Sequence, residues 1–145
     1  MTVTQLSIRM PDKPGQLLKI SEIMGQAEVN ILALFVSTTT PGGDGLMRFV
    51  PSHPGRAAAA LVDRGMEVST TQVLAAETPH HAGGLKAILE PLSRARVNVE
   101  YLYPCIQTGE STILIMGTDQ VEQAVDALKK DWIRLFSDQD LLNFG

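Results

Sequence analysis

The chain has 145 residues, a net charge of −4, 44% apolar and 19% charged residues, and a single cysteine. This is the composition of an ordinary globular protein; the net charge gives no electrostatic case for nucleic acid, which normally demands a basic stripe, and one cysteine excludes an intrachain disulfide. No apolar stretch approaches the ~20 residues of a membrane span, and MTVTQLSIRM lacks a basic region followed by an apolar run, so a cytoplasmic protein with no membrane or nucleic-acid partner is expected.

Val3–Met10 alternates, with Leu6, Ile8 and Met10 on one face, which predicts a half-buried strand. Pro11-Asp12-Lys13-Pro14-Gly15 is a turn cluster, after which Leu17, Ile20, Met24 and Ala27 recur at helical spacing up to about Gly25–Val29. Ile31–Ser37 is a β-rich apolar run, Pro41–Gly45 a connection and Leu46–Val50 a returning strand, together a hairpin. A helix follows from Ser52-His53-Pro54 through the alanines 57–60 to Gly65, with proline in a first turn where its missing N–H costs nothing. Met66–Thr70 reads as a short fourth strand.

The order then repeats. Gln72–Thr78 reads as a strand, Gly83–Ala95 as a helix with a kink expected at Pro91, and Val99–Tyr103 with Ser111–Met116 as a hairpin. Asp119–Lys130 reads as a helix whose Asp119 and Glu122 have capping-box spacing. Trp132–Phe136 reads as the last strand and Ser137–Gly145 as a tail. Pro104 marks an edge strand, because it has no N–H for a ladder.

The repetition is literal. Residues 11–34 slide onto 79–102 at a constant offset of 68. Pro11/Pro79, Gly15/Gly83, Leu17/Leu85, Ile20/Ile88, Glu22/Glu90, Ala27/Ala95, Val29/Val97, Asn30/Asn98 and Leu34/Leu102 coincide. Two copies are too few for a solenoid, so two small domains are expected, 1–70 and 71–145. Each reads βαββαβ, an α+β, ferredoxin-like sandwich, and the two stand in tandem, closely packed. Units of about 70 residues hold only a marginal core alone and need a neighbour. Ile31–Val36 and Ile113–Met116 do not alternate, so both faces of those strands call for burial, within the chain and in a homodimer.

The phrase Asp12-Lys13-Pro14-Gly15-Gln16-Leu17, then helix, then Val29-Asn30-Ile31, resembles the ACT domain, a regulatory module that binds amino acids. The second copy resembles it through His80-His81-Ala82-Gly83-Gly84-Leu85 and Val97-Asn98-Val99, so the resemblance spans essentially the whole chain as a tandem pair. It implies a ligand between the first loop and helix of one domain and the second strand of a neighbour. Carried over, the ligand-binding residues are Asp12, Lys13, Pro14, Gly15, Gln16 and Leu17 with Asn30, Ile31 and Leu32. In the second copy they are His80, His81, Gly83, Gly84 and Leu85 with Asn98, Val99 and Glu100.

The chemistry suits those residue types. A glycine before a helix lets free N–H groups approach an anion, and the helix N-terminus favours a carboxylate. Asp12 or a backbone carbonyl accepts from the ammonium group of an amino acid, and an asparagine has both donor and acceptor. The same glycines and asparagines also suit plain turns. Met10 and Thr78, at the strand ends, give a ligand little polar chemistry, and Asp-Lys-Pro against His-His-Ala makes the two copies unequal.

The function expected is a regulatory amino-acid-binding protein without a catalytic domain, acting in trans on a partner that the sequence does not identify. No nucleophile–base pair, phosphate loop or paired carboxylates support an enzyme, and no cofactor is implied. Cys105 reads as a small buried hydrophobe. Two alternatives stand beside this reading, a metal-responsive module using His80 and His81 and a purely structural dimerisation module. Adjacent histidines diverge, and with His53 the only other one no metal site is assigned.

Overall fold

The computed structural model describes the chain except for residues 12, 39–42, 80, 107–110 and 145. The described residues form six strands and five helices, an α+β fold. They run β1 (Val3–Pro11), α1 (Gln16–Gln26), β2 (Ile31–Thr38), β3 (Asp44–Pro51), α2 (Pro54–Asp63) and β4 (Val68–Pro79). There follow α3 (Gly84–Arg94), β5 (Val99–Pro104), β6 (Ser111–Thr118), α4 (Val121–Lys130) and α5 (Asp138–Phe144). Two compact units result. The first is Thr4–Thr71; the second is Gln72–Phe144 with Met1–Val3.

In the first unit the antiparallel order is β2-β3-β1. Leu6 faces Phe49, Ile8 faces Met47 and Met10 faces Gly45, while Leu34, Val36 and Thr38 meet the same three β3 residues from the other side. Leu6, Ile8, Met47 and Phe49 bury with Ile20, Met24 and Leu61 of the helices, each such apolar side chain stabilising the fold by about 1.5–3 kcal/mol. The second unit repeats this as β4-β6-β5, with Leu74, Ala76, Leu114 and Met116 packed on Ile88, Leu92 and Leu128. Alternate residues on these strands are buried too: Ala33, Val50, Val73, Ala75 and Ile115 have no exposed surface. The run Ile113–Met116 is thus buried on both faces, whereas in Ile31–Val36 only Ala33 is buried and Leu34 and Val36 are exposed.

Four elements differ from the sequence expectations. The strands expected at Met66–Thr70 and Gln72–Thr78 are one, β4, and the division between the units falls inside it. The expected last strand, Trp132–Phe136, is reduced to one bridge between Leu135 and Ala76. Trp132 is spent on ending α4: its N–H bonds Lys129 O, the Ile133 N–H bonds Leu128 O, and its φ is +62°. That is the double-bonded left-handed helix stop, which α1, α2 and α3 share through Glu28, Gly65 and Arg96.

The expected capping box of Asp119 and Glu122 does not form. Asp119 Oδ1 instead accepts the Asn98 N–H at 2.9 Å, as Ser52 Oγ accepts the Asn30 N–H at 2.9 Å in the first unit. The supposed tail contains α5. Ser137 and Asp140 cap it reciprocally, the Ser137 N–H donating to Asp140 Oδ2 at 2.9 Å and the Asp140 N–H to Ser137 Oγ at 3.2 Å. These bonds hold the Asp140 carboxyl below its usual pKa, the Ser137 backbone donor first and its hydroxyl second.

Candidate functional site

The β1–α1 loop is shaped by its backbone. The Lys13 N–H turns back to Pro11 O at 3.0 Å, and Gly15 sits at φ +91°, a left-handed value that costs other residues about 1–2 kcal/mol. A Cβ at Gly15 would meet nothing within 4 Å, so this glycine answers to its dihedral and leaves open space over the helix start. The Gly15 carbonyl takes the Lys19 N–H at 3.0 Å, the first bond of α1. No side chain among the described residues caps α1, and its first turn has no acid. The orphan N–H groups of that turn thus present partial positive charge, and Lys13 adds a cation to the same loop.

A pocket of about 180 Å³ opens at this loop. Lys13, Pro14, Gly15, Gln16 and Leu17 line it together with Met10, Pro11, Val36, Thr38 and Gly45. The sheet register explains the company: Pro11 faces Asp44, Met10 faces Gly45, and Gly45 faces Thr38, so the ends of three strands meet the helix start. Val36, Thr38 and Gly45 were not among the sequence candidates. Their signal lay in strand pairing, the register across the hairpin read from Ile31–Ser37, Pro41–Gly45 and Leu46–Val50.

Within the first unit the structure separates Asn30, Ile31 and Leu32 from this pocket. Asn30 lies before β2, whereas the pocket sits at the far end of that strand, about 25 Å away for eight residues of strand. The Asn30 backbone closes the β2–β3 end, its N–H on Ser52 Oγ and its carbonyl accepting the Ser52 N–H at 2.8 Å. Ile31 packs against the first core and Leu32 is half-buried. In the second unit Asn98 pairs likewise with Asp119, Val99 packs against that core and Glu100 is exposed. Within either unit, then, asparagine and loop lie at opposite ends of the sheet. Asp12 and His80 lie outside the described residues.

The β4–α3 loop repeats the dihedral and the open space over its glycine, since a Cβ at Gly83 would also meet nothing within 4 Å, but it differs at the next residue. Gly83 has φ +85° and Leu85 is exposed like Leu17. The Thr78 hydroxyl donates to Gly84 O at 2.8 Å in a buried contact, and the Gly84 N–H donates to His81 O at 3.0 Å. His81 is exposed, with Nδ1 2.7 Å from Ala82 O, which makes that nitrogen the protonated one. No group of three or more metal-ligating side chains converges among the described residues. Cys105 is buried, and burial pushes its thiol up to about 11, far from a nucleophile's range.

A βαββα unit built twice, each with a glycine-started helix beside a sheet end, defines the class: a tandem of ferredoxin-like domains. The chain belongs to the ACT domain pair family, which matches residues 1–144. A crystallised protein from Bacteroides thetaiotaomicron is 27% identical with a TM-score of 0.90, over 98% of this chain and 96% of that one. The ligand-free regulatory subunit of aspartate kinase from Thermus thermophilus shares 16% identity with a TM-score of 0.64, over 88% and 91% of the two chains. The corresponding subunit from Thermus flavus shares 16% identity with a TM-score of 0.60, over 89% and 92%. At that identity the two subunits share the fold. No curated protein matches the sequence.

Proposed function

We propose that the chain is a regulatory protein that binds a small amino acid at the β1–α1 loop and acts in trans on a partner, working as a homodimer without catalysis of its own. The pocket at the start of α1 carries this reading. Its helix N-terminus and Lys13 suit a carboxylate, while Met10, Leu17 and Val36 suit an apolar side chain. At about 180 Å³ it is smaller than the roughly 300–1,000 Å³ that drug-sized ligands occupy, so a ligand of few atoms fits. Membership of the ACT domain pair family and the shared fold with aspartate kinase regulatory subunits support a regulatory role. Regulation requires that the ligand bind one state of the assembly better than another.

Thermal-shift measurement against the twenty amino acids, nickel and zinc tests the proposal. Stabilisation by an aliphatic amino acid, growing with the logarithm of its concentration, is expected. Lys13→Glu, an exposed change that places a carboxylate at the helix start, should abolish it. A response to the metals alone would reject the amino-acid reading in favour of the histidine one.

A further inference from the structure

The two loops share glycine, leucine and helix, yet they are built differently. We infer that each chain carries one ligand site, in the first unit, and that the second unit's counterpart is closed by its own backbone. This rests on the reading of the first loop as an amino-acid site.

The difference lies in three matched positions. Where the first unit has Met10, Gln16 and Gly45, the second has Thr78, Gly84 and Thr112, equivalent by the offset of 68 and by strand register. At the second loop, a Cβ on residue 84 would lie 2.2 Å from Pro79 O and 3.2 Å from Thr78 Oγ1. No real Cβ approaches a carbonyl oxygen so closely; only glycine permits it. The Thr78 hydroxyl then fastens the Gly84 carbonyl at 2.8 Å, so the first residue of α3 lies directly against the end of β4. The Gly84 N–H, the first amide a carboxylate would use, is already committed to His81 O.

The first unit differs at residues 10, 16 and 45. Gln16 brings a Cβ and a long side chain to the position where glycine allows contact, so α1 stands off from the end of β1. The pocket opens in that gap. Opposite Met10, Gly45 leaves the floor clear: a Cβ there would meet nothing closer than Ser37 O at 3.6 Å. Thr112 fills the matched place in the second unit by facing Thr78. The substitutions at Gln16/Gly84 and Met10/Thr78 compensate one another, a smaller helix residue joined to a hydroxyl that holds its carbonyl. The second loop is therefore a finished structural joint.

Backbone amide NMR titration of the intact chain with L-valine, L-leucine and L-isoleucine, each in turn, reads both loops at once. Saturable shifts are expected at Gly15, Gln16 and Leu17, with Gly83, Gly84 and Leu85 unmoved and a calorimetric stoichiometry of one per chain. Equal saturation at both loops overturns the single-site inference and leaves the amino-acid reading standing. Shifts at neither loop overturn both. Gly45→Thr, which imports the second unit's residue at a position with ordinary clearance, should weaken binding at least tenfold; unchanged affinity overturns the inference as well.

Discussion

Gly117 of β6 faces Tyr101 of β5, and the equivalent pair in the first unit is Val50 with Ala33. The two units fill one cross-strand site by opposite divisions of volume, a ring over a glycine in one and two small aliphatics in the other. A Cβ on residue 117 would lie 2.1 Å from Tyr101 Cζ and 2.4 Å and 2.6 Å from its two Cε atoms, so Gly117→Ala must displace the ring. Overpacking of this kind costs roughly 1–3 kcal/mol, and removing a strand glycine returns about 0.5–1 kcal/mol because φ here is not positive. The net expectation is a loss of about 1–2 kcal/mol, or about 2–8 °C in Tm for a chain of this size. Urea midpoints at unchanged slope measure it. In Tyr101→Ala the same Gly117→Ala change should cost nothing or stabilise, a coupling of about 1–2 kcal/mol between neighbours. A neutral Gly117→Ala, or a cost that persists without the Tyr101 ring, would falsify the volume-exchange account.

Two further predictions concern ends and burial. Trp132 is 94% exposed yet held at φ +62°, where Gly65 stands in the matched turn of the first unit; Trp132→Gly should therefore raise stability by about 0.5–1 kcal/mol by thermal denaturation. A destabilised variant would mean that the indole makes contacts in solution. The Cys105 thiol, raised from 9.0 to about 11 by burial, binds its proton more tightly in the native chain than in the unfolded one. Its contribution is full below pH 9 and is lost as pH climbs towards 11, on the order of 2 kcal/mol. Wild type should thus lose more stability than Cys105→Ala between pH 8 and pH 10.5; parallel curves would refute the shift.

The tandem fold was legible because the repeat preserves what the backbone needs. Gly15 and Gly83 are both left-handed, and Ile20/Ile88 and Leu17/Leu85 hold matched buried and exposed places. What escaped was wherever one residue type served two roles. Trp132-Ile133-Arg134-Leu135-Phe136 has strand composition, but its first residue is consumed by the helix stop that the first copy marks openly with Gly65. Asp119 has the spacing of a cap, but its carboxylate is claimed by an amide 21 residues away in sequence. The missed α5 had a readable signal in Ser137-Asp138-Gln139-Asp140, the spacing of a capping box. Half of the pocket was legible in Lys13–Leu17. The other half, Met10, Pro11, Val36, Thr38 and Gly45, arrives by strand register, to which local motifs are blind.

The central claim is met most directly by a crystal structure of the chain with the amino acid that stabilises it most. The account predicts one ligand per chain, its carboxylate on the amides of Gln16 and Leu17 beside Lys13, and its side chain towards Met10 and Val36. A ligand bound with its carboxylate away from α1, or seated at the β4–α3 loop, would contradict it.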